Sequence, residues 1–203
     1  MNKYSQCGEE KLLVNLFVKI GLKFNRVLEF GAGDGKMYSN TRLLIENGCT
    51  GILWDAEPKA PEVKREFVTK DNINDLFKSY NIYNRLDLCS IDIDGNDYWV
   101  WKELKYRPRV VIIEYNSAFG NNSVTIPYDE KHTWDGTTFY GASASALIKL
   151  AGEKGYTLVD ATGLNLIFVI NEELSPELIN KNIIINTEPG HRPDALNREL
   201  IQI

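Results

Sequence analysis

A short glycine-rich segment bordered by acids carries the clearest chemical signal in the sequence. It reads EFGAGDG at residues 29–35 and directly follows an apolar run. Another acid, Asp55, ends the next apolar run. Glycines let the chain turn sharply and let a ligand approach bare backbone, and ligands of doubly wound sheets bind beyond the carboxyl ends of the strands. We therefore predict a nucleoside-binding site at this turn.

The charge and spacing of the turn differ from those of dinucleotide sites. Such sites use the pattern G-x-G-x-x-G, whereas Lys36 stands at the last position here and Gly35 comes one residue early. Pyrophosphate prefers backbone donors and positive potential, so Glu29 and Asp34 would repel it. The same carboxylates suit the sulfonium and α-ammonium groups of S-adenosylmethionine, and Asp55 can accept hydrogen bonds from both ribose hydroxyls. The alternative that the glycines only form a tight turn stays open at this point.

A second group of acids follows the fourth and fifth predicted strands. Asp92, Asp94 and Asp97 come after the fourth strand, and Glu114 ends the fifth. Acids that share one edge of a sheet repel one another unless a cation lies between them, such as a sulfonium, a substrate amine or a metal. Methyl transfer to a hydroxyl also needs a base. Asp92 is the first candidate for that base and His132 is the second, because an ordinary histidine pKa of about 6.5 suits proton transfer.

The same side chains allow a divalent metal as an alternative. Mg²⁺ and Mn²⁺ prefer oxygen ligands, and we expect Asp92, Glu114 and His132 to hold such an ion if one is bound. Asp94 and Asn116 are further candidate ligands. Against a metal, Asp94 and Asp97 can cap the helix that is predicted to begin near Tyr98.

Apolar runs alternate with amphipathic segments, which predicts an α/β fold. Helices are predicted at Glu9–Ile20, Ser39–Asn47, Ile73–Tyr80, Tyr98–Leu104 and Ala142–Lys154. Strands are predicted at Arg26–Phe30, Gly51–Asp55, around Phe67–Val68, Leu86–Ile93 and Val110–Glu114, with a final antiparallel pair at Tyr156–Val159 and Leu166–Ile170. A short helix is also expected just before the third strand, from Val63. The pattern predicts one domain over residues 1–203, with a Rossmann-like, doubly wound, mostly parallel seven-stranded sheet and helices on both faces.

Residues 116–141 lack periodicity and are predicted to form a substrate loop or lid. The expected substrate contacts are Asp94, Glu114, Asn116, His132, Trp134 and Tyr140. Alternatively, Trp134 and Tyr140 pack the loop onto the sheet. Residues 175–203 form a polar tail to which no element is assigned, and we regard His191 within it as incidental.

The glycine segment and Asp55 resemble the first two motifs of the class I S-adenosylmethionine-dependent methyltransferases. The resemblance implies that Glu29 faces the methionine end, that Gly31 and Gly33 offer their backbone, and that Asp55 binds the ribose. Asn72 follows the third strand, where the family contacts adenine. The full set of expected cofactor contacts is Gln6, Glu29, Gly31, Ala32, Gly33, Asp34, Asp55, Asn72, Ile73 and Asp92.

Three further segments resemble the FkbM-like group of small methyltransferases of sugar and surface-polysaccharide pathways. They are YSQCGEE at residues 4–10, SIDIDGNDY at residues 90–98 and IIEYN at residues 112–116. The second departs from the common form by having Asp94 and Asp97 in place of Glu and Ser90 in place of Lys. The resemblance implies an O-methyltransferase for a sugar or a capsule or O-antigen intermediate. Ser5 and Gln6 either fold over the bound ligands or, in the case of Ser5, cap the first helix.

Bulk composition limits the partners. The net charge of -5 and the pI of about 5.2 disfavour general binding to nucleic acid. No apolar run approaches the roughly 20 residues that span a bilayer, and three cysteines without metal-ligand spacing suit a reducing cytoplasm. We therefore expect a cytoplasmic protein with a small-molecule substrate, and a homodimer stays open. The rival functions are an NAD-binding oxidoreductase and a non-catalytic binding module.

Overall fold

The computed structural model describes residues 4–188 and 197–203, and a seven-stranded sheet forms its centre. The strands of this sheet are β1 Arg26–Phe30, β2 Thr50–Asp55, β3 Lys64–Arg65, β4 Leu88–Ile91, β5 Val110–Glu114, β7 Tyr156–Ala161 and β8 Asn165–Ile170. Their order is β3-β2-β1-β4-β5-β8-β7. The first five are parallel, and β8 is antiparallel to both of its neighbours. The predicted fold class and the antiparallel pair are confirmed.

Helices cover both faces of the sheet. They are α1 Glu9–Ile20, α2 Arg42–Glu46, α3 Ile73–Ser79, α4 Asp97–Glu103 and α5 Ala144–Glu153. Val27 packs in one cluster with apolar residues of α1 and α2, whereas Leu28 packs in another with residues of α3, α4 and α5. Because successive side chains of a strand point to opposite faces, each strand supplies both cores.

The strand order places a ligand crevice at one position. Chain order reverses on either side of β1, so β1 and β4 are neighbours whose connections leave in opposite directions. In open α/β sheets, ligands bind outside the carboxyl ends of the strands at such a switch point. The glycine turn follows β1 and the first acids follow β4, so both meet at this crevice.

The third strand was predicted at the wrong residues. The structure has β3 at Lys64–Arg65, not around Phe67–Val68, and the short helix expected from Val63 is absent from this part of the described chain. Both β3 residues are exposed, so no apolar run marks the strand. Its position comes from pairing with the end of β2, where Trp54 lies opposite Lys64.

The loop over residues 116–141 is more ordered than predicted. It contains a short 3-10 helix, Ser117–Phe119, and strand β6, Val124–Thr125. β6 pairs antiparallel with β9, Ile201–Gln202, at the end of the polar tail. The tail therefore returns to the loop, although residues 189–196, with His191, lie outside the described chain. In the described parts, no helix has the length and apolar character to cross a bilayer.

Candidate active site

The glycine turn lies so close to β4 that its first residue has to be glycine. Gly31 has a φ of +68°, and a Cβ there would overlap the backbone oxygen of Asp92. Ala32 donates its N–H to the carbonyl of Trp54 at 3.0 Å, and its side chain is buried. The turn is thus fixed to the ends of both β2 and β4. Ala32, predicted to contact the cofactor, packs into the protein instead.

The next glycine presents open backbone beside a carboxylate. A Cβ on Gly33 would meet no atom within 4 Å. Its N–H donates to Asp55 Oδ2 at 2.7 Å, and the N–H of Glu57 donates to Asp55 Oδ1 at 2.7 Å. A carboxylate has about four acceptor sites, so both oxygens of Asp55 can accept further hydrogen bonds. The structure therefore places Gly33 and Asp55 together, as the ribose prediction requires.

A fixed negative charge stands on the same turn. Asp34 Oδ1 accepts hydrogen bonds from the N–H groups of Met37 at 2.7 Å and Lys36 at 2.8 Å. These bonds lower the pKa of Asp34 below its ordinary value. Asp34 is therefore ionised throughout the physiological range, which favours a cationic ligand at the turn.

Glu29 has a different position from the one predicted. Its side chain is buried; Oε2 accepts from the hydroxyls of Ser39 and Thr41, both at 2.6 Å, and Oε1 accepts from the N–H of Asn40 at 2.8 Å. Burial raises the pKa of Glu29 despite these bonds. Because its side chain is buried and binds Ser39, Asn40 and Thr41, Glu29 fixes the segment after the glycine turn instead of lining open space.

Three carboxylates meet at the ends of β4 and β5. Oxygens of Asp92, Asp94 and Glu114 all lie within 4.8 Å of one another. Behind them, the buried Asp97 accepts from the N–H groups of Ile93 at 2.8 Å and Gly95 at 2.9 Å, which fixes the connecting turn. Burial, and the charges of Asp97, Asp94 and Glu29, raise the pKa of Asp92 well above its ordinary value. Asp92 is thus a stronger base than a solvated aspartate.

His132 lies beside this cluster but outside it. Its imidazole packs so closely on the turn after β4 that a Cβ on Gly95 would overlap it. Its Nε2 is buried and makes no hydrogen bond among the described residues. The described acids and histidines bring Asp94, not His132, together with Asp92 and Glu114, so the predicted metal set is not the one assembled.

Asn116 is a structural residue, contrary to the prediction that it binds substrate. Its side chain is buried and donates to the carbonyls of Thr138 at 2.7 Å and Tyr140 at 2.9 Å. Its Oδ1 accepts from the N–H of Ala118 at 3.0 Å. Asn116 therefore holds the two ends of the long loop together. No donor of its amide is left for a ligand.

The aromatic residues of the loop pack on one another. Trp134 donates its indole N–H to the carbonyl of Thr137 at 2.7 Å, and its ring lies 6.2 Å from that of Tyr140. Both residues keep partial exposure. These contacts lie within the loop itself, so packing of the two rings onto the sheet and a substrate contact of either ring both remain predictions.

The side chains of two predicted cofactor contacts, Asn72 and Ile73, have structural roles in the fold. The side chain of Ile73 is fully buried in the core, so it does not reach the site. Asn72 accepts from the N–H of Thr69 at 2.8 Å and donates to the carbonyl of Phe67 at 2.8 Å. It therefore shapes the turn that follows β3.

The predicted helix cap at Ser5 is not formed, because Gly8 is the N-cap of α1 and no side chain caps that helix; a role of the segment in covering bound ligands remains a prediction. Ser5 is buried, and its hydroxyl accepts from the N–H of Glu10 at 3.4 Å, close to the start of α1. Gln6 is exposed and, together with Asp34, lines a cavity of about 480 Å³. Sequence reasoning missed the other side chains of this cavity after the turn. The only signal for them was a pair of large side chains, Met37 and Tyr38, two residues after the last glycine.

No protein-family model matches the sequence, and a search of curated proteins gives no match. Among solved structures, the chain is similar to the N-terminal domain of EvdMO1 with SAH bound, at a TM-score of 0.50 and 11% identity, over 82% of this chain and 81% of that chain. It also matches an S-adenosylmethionine-dependent methyltransferase from Clostridium acetobutylicum ATCC 824, at a TM-score of 0.37 and 14% identity, over 79% and 90% of the two chains. The first likeness shows that the chain has the fold of that SAH-bound domain.

Proposed function

We propose that the protein is an S-adenosylmethionine-dependent O-methyltransferase for a small polar acceptor. The observation that carries this proposal is the turn at Gly33, where open backbone lies between the carboxylates of Asp34 and Asp55. Negative charge at this point suits a sulfonium nucleoside and opposes a pyrophosphate. The fold shared with an SAH-bound domain supports the same cofactor.

Asp92 is the proposed catalytic base. It follows β4, and its backbone oxygen lies against Gly31, so it borders the cofactor turn directly. When bound, the cofactor supplies a methyl group that passes to the acceptor oxygen as the carbon–sulfur bond breaks. The hydroxyl proton of the acceptor goes to Asp92 Oδ, whose raised pKa favours its uptake. The turn and the acids align acceptor and methyl group, and alignment can lower a barrier by several kcal/mol.

A sugar or a surface-polysaccharide intermediate is the proposed acceptor class. The support is the resemblance of residues 90–98 and 112–116 to the FkbM-like group, together with the carboxylate cluster of Asp92, Asp94 and Glu114 and the aromatic residues of the long loop. Carboxylates accept hydrogen bonds from hydroxyl groups, and aromatic faces pack on the apolar faces of sugar rings.

A divalent metal is a second way in which the acids could serve the same reaction. Asp92, Asp94 and Glu114 offer the oxygen donors that Mg²⁺ and Mn²⁺ prefer, and a bound cation would relieve their mutual repulsion. His132 lies outside this group. Turnover measured after chelation and after Mn²⁺ addition separates the metal-dependent form of the reaction from the metal-free form.

Calorimetric titration with S-adenosylhomocysteine and with NAD tests the cofactor. We expect saturable binding of S-adenosylhomocysteine and none of NAD. Binding of NAD alone would replace the proposal by the oxidoreductase, and binding of neither would favour the non-catalytic module. Asp75, an exposed acid of α3, provides a control variant, because Asp75→Ala removes a carboxylate that pairs with Lys78 at the surface.

A further inference from the structure

A cavity of about 480 Å³ opens beside the glycine turn. It lies between residues 4–6 of the N-terminal segment and residues 34–38 of the loop that follows Gly33. The hydroxyl of Tyr4 donates to Glu46 of α2 at 2.8 Å, so the N-terminal segment is tied to the helix after this loop. The cavity is therefore bounded by two segments that are fixed within the fold, and its volume is typical of a small-molecule site.

Two opposite charges line this cavity without pairing with each other. The hydrogen bonds from the N–H groups of Lys36 and Met37 both go to Asp34 Oδ1, which leaves Oδ2 available to a ligand. Lys36 is exposed, and its ammonium group forms neither a hydrogen bond nor an ion pair with the described residues. Its charge lowers the pKa of Asp34 less than the two backbone bonds do, as expected for groups that are not in contact. A ligand with both an ammonium and a carboxylate would provide each of these charges with a partner.

The position of Asp55 indicates which part of an adenosine ligand reaches the cavity. Gly33 donates to Asp55 on one side and is followed by Asp34 on the other. Ribose hydroxyls bound to Asp55 leave the 5′ substituent of the nucleoside to extend past Gly33 towards Asp34. In S-adenosylmethionine and S-adenosylhomocysteine, this substituent ends in an α-amino acid, which carries an ammonium and a carboxylate. Glu29, the residue expected at that end, is buried and does not line the cavity.

The remaining lining suits the carbon chain that joins the sulfur to the amino acid. Met37 is 64% exposed and offers a flexible apolar side chain. Gln6 is exposed on the wall formed by the N-terminal segment, and its amide can donate to a carboxylate. An amino acid on a short aliphatic chain is therefore matched in both its charged and its apolar parts.

We infer that this cavity holds the amino-acid end of the cofactor, with the α-carboxylate on Lys36 and the α-ammonium on Asp34. Lys36 is then a specificity-determining residue, because it selects nucleosides whose amino acid retains the carboxylate. The inference rests on the proposed function, since it assigns partners to the cofactor of the proposed reaction. It also gives a role to Lys36 at the position where a dinucleotide motif has its last glycine.

Calorimetric titration of the full chain with three adenosine thioethers tests the inference. S-adenosylhomocysteine carries the whole amino acid, its decarboxylated analogue keeps only the ammonium, and 5′-methylthioadenosine has neither group. We expect the unmodified chain to bind S-adenosylhomocysteine at least about tenfold more tightly than 5′-methylthioadenosine. Lys36→Ala should weaken S-adenosylhomocysteine about fivefold, the effect of losing one partly exposed charge pair, and should weaken neither of the other two compounds.

Lys36→Glu gives the sharper test, because it reverses the charge. This variant should weaken S-adenosylhomocysteine more than Lys36→Ala does and should strengthen binding of the decarboxylated analogue, whose only charge is positive. A loss of packing or of folding cannot strengthen one ligand while it weakens the other. If Lys36→Glu weakens both compounds, the side chain at this position does not read the carboxylate.

Lys59→Ala is the matched control. Lys59 is also an exposed lysine, and its N–H donates to the carbonyl of Gly33 at 2.9 Å, but its side chain does not line the cavity. The inference is overturned if 5′-methylthioadenosine binds as tightly as S-adenosylhomocysteine, or if Lys36→Ala leaves S-adenosylhomocysteine unchanged or weakens all three compounds equally. Equal effects of Lys36→Ala and Lys59→Ala would also overturn it, because a general positive field would then explain both. A chain that binds none of the three compounds would instead remove the proposed function.

Discussion

Gly31 and Gly33 have similar backbone angles but different surroundings. Both have positive φ, 68° and 55°, yet an added Cβ overlaps Asp92 at Gly31 and meets nothing at Gly33. We expect Gly31→Ala to lower the free energy of unfolding by about 3 kcal/mol or more, from overlap plus backbone strain, and Gly33→Ala by about 1–2 kcal/mol from strain alone. Urea unfolding measures both values. Equal losses would show that the contact with Asp92 does not select glycine.

Asp55 should contribute to cofactor affinity through hydrogen bonds to its charged oxygens. We expect Asp55→Ala to weaken S-adenosylhomocysteine binding at least about tenfold, since a hydrogen bond to a charged group contributes about 1.5–3 kcal/mol. Asp55→Asn retains one acceptor oxygen and should lie between Asp55→Ala and the unmodified chain. Calorimetry provides the affinities, with Asp75→Ala as the control. An unchanged affinity in Asp55→Ala would remove this residue from the ribose site.

Asp92 should lower stability at neutral pH while serving as the base. Its pKa is raised in the folded state, so folding favours its protonated form, and stability falls as the pH rises through that raised pKa. Asparagine does not ionise. We therefore expect Asp92→Asn to abolish most turnover and yet to raise the unfolding temperature, with a larger gain at about pH 8 than at about pH 5.

Thermal unfolding of the unmodified chain and Asp92→Asn at the two pH values measures this difference. A rise in unfolding temperature that is the same at both pH values would mean that another group already compensates the charge of Asp92. Mn²⁺ that stabilises only the unmodified chain would identify the compensating group as a metal held with Asp94 and Glu114.

The long loop depends on the last strand of the chain. β9 pairs with β6, Leu200 packs against the cluster of Phe119, Val124 and Ile126, and Arg198 forms an ion pair with Asp135 at 2.6 Å. We expect deletion of residues 198–203 to increase hydrogen exchange across residues 117–141, because the loop loses both its strand partner and its apolar cover. The central sheet should keep its protection.

Arg198→Ala separates the two contributions to this anchoring. The ion pair is exposed and contributes at most about 1 kcal/mol, so this variant should leave most of the protection in place. If the single substitution and the deletion raise exchange equally, strand pairing and the packing of Leu200 do not anchor the loop.

Elements defined by local sequence were predicted well. α1 and β5 have the bounds foreseen, because each is a periodic or apolar run that ends at Gly21 or before a polar segment. β3 was misplaced, since two exposed basic residues contain no local signal and pair only because β2 is already present. β6 and β9 were not predicted for the same reason, because they pair with each other and lie far apart in the chain.

In the candidate site, too, some residues were predictable from local sequence and others were not. The positions of Gly33, Asp55 and Asp92 follow from strand ends, which the sequence marks. Asn116 was predicted to contact the substrate as a polar residue of the long loop, yet the fold binds its amide to the carbonyls of Thr138 and Tyr140. The cavity is formed by two segments that meet only in the folded chain.

The two edges of the central sheet carry opposite electrostatic arrangements. At the carboxyl edge, the acids repel one another. At the amino edge, the buried Arg109 donates to Asp87 at 2.6 Å and to Glu173 at 2.8 Å, and also to the carbonyls of Ile20 and Gly21 at the end of α1. This network joins α1, β4, β5 and the end of β8. The fold therefore places mutually repelling acids at one edge of the sheet and a buried, paired charge network at the opposite edge.

The variant Arg109→Ala tests whether the amino edge stabilises the fold independently of the site at the carboxyl edge. Removing one partner of a buried ion pair typically costs about 3–5 kcal/mol, so this variant should unfold at a much lower urea concentration. Its affinity for S-adenosylhomocysteine should change less than about twofold. The bond from Arg109, with a contribution from Lys23, lowers the pKa of Glu173 to about 2. The stabilisation from Glu173 is therefore present above its ordinary pKa, near 4.5, and is lost as the pH falls towards 2, so the difference in stability between the variant and the unmodified chain should narrow in acid. Arg107, whose pair with Glu172 is exposed, is the matched control, and Arg107→Ala should lose at most about 1 kcal/mol. A loss of S-adenosylhomocysteine affinity as large as the loss in the free energy of unfolding would show that the two edges are coupled. The site would then depend on charge pairing at the amino edge of the sheet.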